Sequence, residues 1–401
     1  MKKRYIVFVA ALILLAVLSY IFFFSKRGLT ILSEADIGHP SFLQDKQAVV
    51  YLSTTADQDM DGKGFSYAIF IDRKGRAAGY QMKGLESGNI NISDDKKQLL
   101  LETKDSIRLI GKKAATYKTK YQHTGEYNTY LPKEQRFVNI YNSGFDKKNG
   151  GYNSNVIHID RKGIHTANIP HYLMSEGKDG EKVVIIGNEQ ENDTYIMRSI
   201  TFAGTSMSMT DPVVLNLPKT MTYSSVSSIV SDAKYHYQVI AGIGEEETEM
   251  TYVLRIDKET AEVDLTPIYE KARSFEDAIA IIPFDTERSA YLYEDKLYYI
   301  DGLGDMITFD TKTKAVSRKF KIDYHVTDGV RFHEQSYFEK DRLYVLRHDF
   351  DRKHKYYIEE YSLHNGEKVK ETDVIGMDKL LKSVPWGKKI YSYDFIMLQK
   401  E

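Results

Sequence analysis

The chain of 401 residues contains no cysteine. That excludes disulfides, thiolate-bound zinc, cysteine nucleophiles and thioether-linked lipid, and it fits either the cytosol or a bacterial envelope assembled without disulfides. Proline is scarce at 8 residues, and Trp386 is the single tryptophan. Neither sign of charge dominates, with 55 Lys and Arg against 57 Asp and Glu. Setting aside Lys2, Lys3, Arg4, Lys26 and Arg27 leaves 50 basic against 57 acidic residues, a balance of −7. A mildly acidic body gives no electrostatic reason to expect nucleic acid as a partner. His-Glu-x-x-His, Gly-x-Ser-x-Gly, Walker and dinucleotide-binding patterns are all missing.

One long apolar run is present, at residues 5–24 (YIVFVAALILLAVLSYIFFF). As a helix rising ~1.5 Å per residue it spans ~30 Å, the thickness of a hydrocarbon core. Lys2, Lys3, Arg4 and the α-amino group precede it, and Lys26 and Arg27 follow. The heavier positive charge before the run places the N-terminus in the cytoplasm and the body outside. A cleaved signal peptide is the competing reading, with a small-residue site near Ser19, but the apolar run continues beyond it to Phe24. The expected organisation is a cytoplasmic tail (1–4), a transmembrane signal-anchor (5–24), a linker (25–30) and an extracytoplasmic domain (31–401).

Tyr (30) and Phe (18) are abundant, which favours strands over helices. The pentapeptide Ile-Asp-Arg-Lys-Gly occurs at 71–75 and again at 159–163, 88 residues later. Each copy closes an alternating run, FSYAIFI and NSNVIHI. Strand, loop, strand and tight turn recur along the chain, and the turns ending each third strand fall at Asp72, Gly111, Asp160, Ala203, Asp257, Asp310 and His364. Spacings of 39 to 54 residues between them match the ~40–50 residues of a propeller blade. The expected fold class is all-β, a β-propeller of seven four-stranded blades behind one transmembrane helix. A sandwich also alternates strands and turns, but it would not regenerate one pentapeptide at a two-blade interval.

Residues 296–316 (KLYYIDGLGDMITFDTKTKAV), 255–263 (RIDKETAEV) and 361–369 (YSLHNGEKV) resemble PQQ-like or YVTN-type propeller repeats. The resemblance covers the chain from about residue 30 onward at the level of fold and implies no catalytic residue. The disc of tryptophans typical of quinone enzymes is impossible with Trp386 alone. The Asp closing each third strand is expected to cap the following turn with its side chain.

Three features bear on chemistry. Asp57, Asp59 and Asp61 followed by Gly62 resemble the start of a calcium loop, although Phe65 and Ala68 stand where later ligands belong. That makes Ca²⁺ the one cofactor to consider. Loops 145–151, 244–249 and 348–354 are long and charged, and in a propeller they share the face that carries the blade-to-blade links. His348, Asp349, Asp351 and His354 in the last of them have metal-ligand types, interleaved with basic residues as in a solvated hairpin. No acidic pair stands out for glycosidase or lyase chemistry. These features point to a membrane-anchored, non-enzymatic binding or scaffold module that meets an envelope protein or glycan. The alternative is a hydrolase or lyase with acidic residues at the central channel.

Overall fold

Residues 48–52 and 67–71 are buried at every position, so the sheet that contains them must be covered on both faces. A closed ring of sheets meets that demand without a separate helical layer. The computed structural model describes residues 30–398, apart from 60–61, 88–89, 121, 123, 147–150, 190–193, 245–248, 272–282, 323–333 and 385–386. The apolar segment 5–24 with its tail and most of the linker therefore lie outside the described residues. No described helix is long and apolar enough to cross a membrane.

The strands form seven antiparallel sheets, the blades of an all-β propeller. From the channel outward, blade 1 is built from Tyr391–Met397, Lys46–Ser53, Phe65–Asp72 and Ala77–Lys83. Blade 2 uses Ile90–Ile92, Gln98–Thr103, Ser106–Gly111 and Ala115–Lys118, and blade 3 Thr124–Leu131, Arg136–Asp146, Gly151–Asp160 and Gly163–Ile169. Blade 4 uses Leu173–Asp179, Lys182–Glu189 and Thr194–Ala203, with an outer strand broken into Ser206–Met209 and Val213–Leu215. The inner position of blade 5 is split between Met221–Ser225 and Val230–Ser231, ahead of Tyr235–Gly244, Glu249–Asp257 and Val263–Lys271. Blades 6 (Ala290–Tyr293, Lys296–Ile300, Asp305–Asp310, Val316–Lys321) and 7 (Gln335–Glu339, Arg342–His348, Tyr356–Ser362, Lys368–Asp373) are regular.

Seven apolar clusters hold the ring, one at each contact between neighbouring blades. Alternate residues of a strand face opposite neighbours. Ala48, Val50 and Leu52 pack toward Tyr344 and Ile358 of blade 7, whereas Val49 and Tyr51 pack toward Leu99 and Leu101 of blade 2. Two short helices fill wedges at the seam. Glu34–Ile37, capped by Ser33, sets Ile37 between blades 1 and 2, and Met377–Lys382 sets Met377 and Leu380 between blades 7 and 1. A side chain at Gly79 would meet Leu380 at 3.0 Å, so the second helix can lie close against the outer strand of blade 1.

The expected Asp-capped turns are present. Asp72 Oδ1 accepts the N–H groups of Lys74 and Arg76 (2.8 and 2.9 Å), and Asp160 Oδ1 accepts that of Lys162 (2.7 Å). Asp257 and Asp310 repeat the arrangement with Glu259, Thr260, Lys312 and Thr313. The two copies of Ile-Asp-Arg-Lys-Gly nevertheless turn differently. In blade 3 Asp160 pairs with Gly163, but in blade 1 the loop is longer, Asp72 N–H bonds Arg76 O, and Gly75 adopts φ +76°. A side chain at Gly75 would collide with Asp373 O at 2.2 Å, since blade 7 crosses there.

The C-terminal strand closes the ring by pairing with Lys46–Ser53 over Ala48↔Met397 to Ser53↔Tyr391. Arg288, just before the inner strand of blade 6, reaches the C-terminal strand's Asp394 in bidentate fashion (Nε–Oδ1 2.9 Å, Nη2–Oδ2 3.2 Å). Ile90 N–H adds a bond to Asp394 Oδ2 at 3.1 Å, and Arg288 Nη2 donates to Ile90 O. Asp394 is 2% exposed, so its charge depends on these donors. Replacing Arg288 with Met removes the counter-charge of a buried carboxylate and is expected to cost about 3–5 kcal/mol at neutral pH. Urea unfolding measures it, and the loss should shrink as pH falls and Asp394, whose pKa burial raises, takes up a proton.

Candidate functional site

The inner strands leave a central cavity of about 470 Å³ lined by blades 2 to 6, including Asn91, Tyr127, Lys178, Ser231, Glu287 and Arg288. The Arg288–Asp394 pair crosses its wall toward blade 1. Further carboxyl groups lie buried close to its lining. Asp285 Oδ1 accepts the N–H groups of Glu287 and Arg288, while its Oδ2 is buried with no hydrogen-bond partner among the described residues. Glu176, on the inner strand of blade 4, is 7% exposed, and its Oε1 likewise has none. Glycine lets this strand approach blade 5: a side chain at Gly177 would meet Ile229 O at 1.9 Å, and Ile229 N–H donates to Glu176 O at 2.9 Å.

Burial is the main cause that raises the pKa of each of these acids. Glu176 is pushed up to about 8 by burial and by Glu126, and Asp285 to about 7 by burial, with Arg288 opposing. Glu287 is raised well above the usual range by burial, Asp394 and Asp285. Asp394 receives the guanidinium and a backbone N–H, so it is the member that keeps its charge. The acids beside Arg288 therefore have raised pKa values, with burial as the main cause.

A second feature lies on the face that carries the second-to-third strand hairpins and the links between blades. Phe145 and Tyr152 flank the hairpin tip of blade 3, and Tyr172 lies on the link to blade 4. They are 59%, 36% and 43% exposed, yet their rings touch edge to face at 5.9 and 5.5 Å. Ile243 and Phe350 occupy the matching hairpins of blades 5 and 7 and are also exposed.

The Asp57 loop stands on the same face. Asp57–Asp59 form one turn of 3₁₀ helix, Asp57 exposed and Asp59 buried, while Asp61 lies outside the described residues. The Asp59 carboxylate is bound to Lys104 from blade 2 and to Gly64 N–H, so an ammonium group fills the cationic role there. No group of three metal-ligating side chains assembles among the described residues. At the blade 7 hairpin, Asp349 accepts Asp351 N–H, and His348 packs on Phe350 and Tyr356 at 4.4 and 4.5 Å, its pKa lowered by burial. The tips of the other charged loops, 147–150 and 245–248, lie outside the described residues.

Sequence reasoning had located the hairpin at 145–151 but not Tyr172, Glu176, Glu287, Arg288 or Asp394. The charges in 285–288 (DTER) look like any polar linker until ring closure brings Asp394 to them.

Glu176 gives a measurable pH dependence. Its folded pKa, about 8, exceeds the ordinary 4.5, so between these values the folded state holds a proton that the unfolded chain has released. Stability must then fall as pH rises through that window. The urea midpoint is expected to drop from pH 5 to 8.5 in the natural protein and to drop less in Glu176→Gln. Equal slopes would mean that Glu176 is ionised when folded.

Comparison with known proteins agrees with the ring of blades. A family model described as "YycP, beta-propeller domain" matches residues 41–398. The "Uncharacterized protein YycP" of Bacillus subtilis (strain 168) is 28% identical over 374 residues, 93% of this chain and 94% of its own. Among solved structures, the β-propeller domain of the Trilobed protease from Pyrococcus furiosus has a TM-score of 0.47 at 13% identity, covering 82% of this chain and 96% of that one. BamB from Moraxella catarrhalis has a TM-score of 0.37 at 13% identity, covering 72% and 78%. Likeness at that level carries nothing about chemistry. With the family model spanning nearly the whole described ring, the chain belongs to the YycP β-propeller family.

Proposed function

We propose that the protein is a membrane-anchored, extracytoplasmic binding module. In this reading segment 5–24 holds the propeller at the cell envelope, and the Phe145, Tyr152 and Tyr172 cluster meets an envelope protein or glycan. The carrying observation is that cluster: three large rings left exposed side by side on a rigid rim. Contiguous exposed aromatic surface on an otherwise polar protein marks interaction sites, and tyrosine serves both protein and sugar contacts. The chain's course supports the orientation. Ile31 runs parallel to the outer strand of blade 1 beside Gly79, so residues 30–32 run toward the face that carries the cluster. An anchored domain would then present the cluster away from the membrane.

The test uses the full chain in lipid vesicles, incubated with purified wall glycan and, separately, with solubilised envelope proteins. Phe145→Ser, Tyr152→Ser and Tyr172→Ser together are expected to weaken retention of one of these by about tenfold or more, since buried aromatic anchors carry over 1 kcal/mol each. The melting temperature should stay unchanged, because the rings are exposed. Undiminished retention, or none by the natural protein, would overturn the reading.

A second reading draws on Glu176 and Glu287. Carboxyl groups whose pKa burial raises, to about 8 at Glu176, suit general acid catalysis, as a hydrolase or lyase would need. For calcium, Lys104 already neutralises Asp59, so the natural protein is expected to melt at the same temperature with millimolar calcium or with chelator. In Lys104→Met, calcium should raise the melting temperature by replacing the lost ammonium. A chelator-sensitive natural protein would instead favour a calcium loop at Asp57, Asp59 and Asp61.

A further inference from the structure

The face opposite the aromatic cluster carries the tight turns, and between blades 1 and 2 it opens into a pocket of about 580 Å³. Its charge runs against that of the body. Lys46, Arg73, Lys96, Lys97 and Lys112 line it with Asp95 as the single carboxylate, in a domain whose net charge is −7. Three of these cations have carboxylate partners: Lys46 with Asp45, Lys96 with Glu339, and Lys97 with Asp95 at 4.0 Å. Arg73 and Lys112 have no carboxylate partner among the described residues. Both are exposed, and Arg73 is steadied by donating Nη2–H to Gln44 O at 3.1 Å.

The backbone fixes these groups in place. Gly111, at φ +119°, allows Lys112 N–H to bond Lys97 O at 3.2 Å, and a side chain at Gly111 would strike that same oxygen at 2.2 Å. The two lysines are thereby held on adjacent turns. His39 closes the rim, its Nδ1 lying 2.8 Å from Ser41 Oγ and 3.3 Å from Ser41 N. A guanidinium and an ammonium with an imidazole at the rim of one concavity form a set suited to a tetrahedral anion.

We propose that this pocket binds a phosphate group, either the headgroup of an anionic lipid or a free phosphate ester. Its size admits a headgroup, and the acidic body around it disfavours a long polyanion. The site is independent of the aromatic cluster and does not require segment 5–24 to be an anchor.

The experiment uses the full chain in neutral detergent, titrated by calorimetry with dihexanoyl phosphatidylglycerol, with inorganic phosphate and with dihexanoyl phosphatidylcholine as a zwitterionic control. At least one of the first two ligands is expected to bind and to weaken as salt rises. Arg73→Gln with Lys112→Gln should reduce that affinity at least tenfold while leaving the melting temperature unchanged. Arg161→Gln with Lys162→Gln provides the control, because it removes two exposed cations from a turn of blade 3, outside the pocket. Binding of phosphatidylglycerol alone identifies a lipid source, and binding of both ligands identifies the phosphate itself. Absence of binding by either, equal binding of phosphatidylcholine, or an equal loss in both double variants would overturn the proposal.

Discussion

The whole ring depends on a strand that arrives last. Lys46–Ser53 has apolar residues on both faces, and its inner edge is covered only when Tyr391–Met397 returns from the far end of the chain. That pairing is secured by the Arg288–Asp394 pair, by Gln335 Nε2–H donating to Ser392 O at 3.0 Å, and by Lys96 joining Glu339 across the seam. Blades 2, 6 and 7 all hold the strand of blade 1 in this way. Because the contacts are the most distant in sequence that the fold possesses, loop closure is entropically costly and must be offset by concentrated interactions.

The same closure explains the channel. Bringing Asp394 to Arg288 puts an ion pair at the centre of the ring, beside acids whose pKa values are raised mainly by burial. Asp394 adds to the rise at Glu287 and Asp285, whereas at Glu176 the added cause is Glu126. The channel's electrostatics are thus shaped first by burial and, at Glu287 and Asp285, also by a residue whose first role is to close the fold. The two faces of the disc differ for a separate reason: tight Asp-capped turns keep one face short and charged, while longer hairpins extend the other, those of blades 3 and 7 lifting Phe145, Tyr152 and Phe350 into solvent.

Blade number and boundaries were legible because each blade obeys local rules. Six of the seven anchors, Asp72, Gly111, Asp160, Ala203, Asp257 and Asp310, end third strands, and the last strand stops at Ser362, two residues before His364. Asp-capped turns announce themselves in sequence because cap and turn are adjacent. The closing strand did not, since 391–397 (YSYDFIM) has no signal distinguishing an inner strand of blade 1 from an outer strand of blade 7. Even an identical pentapeptide proved context-dependent: blade 7 crosses over Gly75 and lengthens that turn, whereas Gly163 has open space around it. For Asp57, Asp59 and Asp61 the spacing was right for a cation, but Lys104, 45 residues beyond Asp59, is the cation that the fold delivers.

Native-state hydrogen exchange on the full chain addresses ring closure itself. If Tyr391–Met397 closes the ring as described, the amides of Val50, Leu52, Phe395 and Met397 should exchange only through global unfolding, as slowly as those of Val184 and Ile186 in blade 4. Fast exchange of the C-terminal strand while blade 4 remains protected would contradict that closure and show that the ring stands without it.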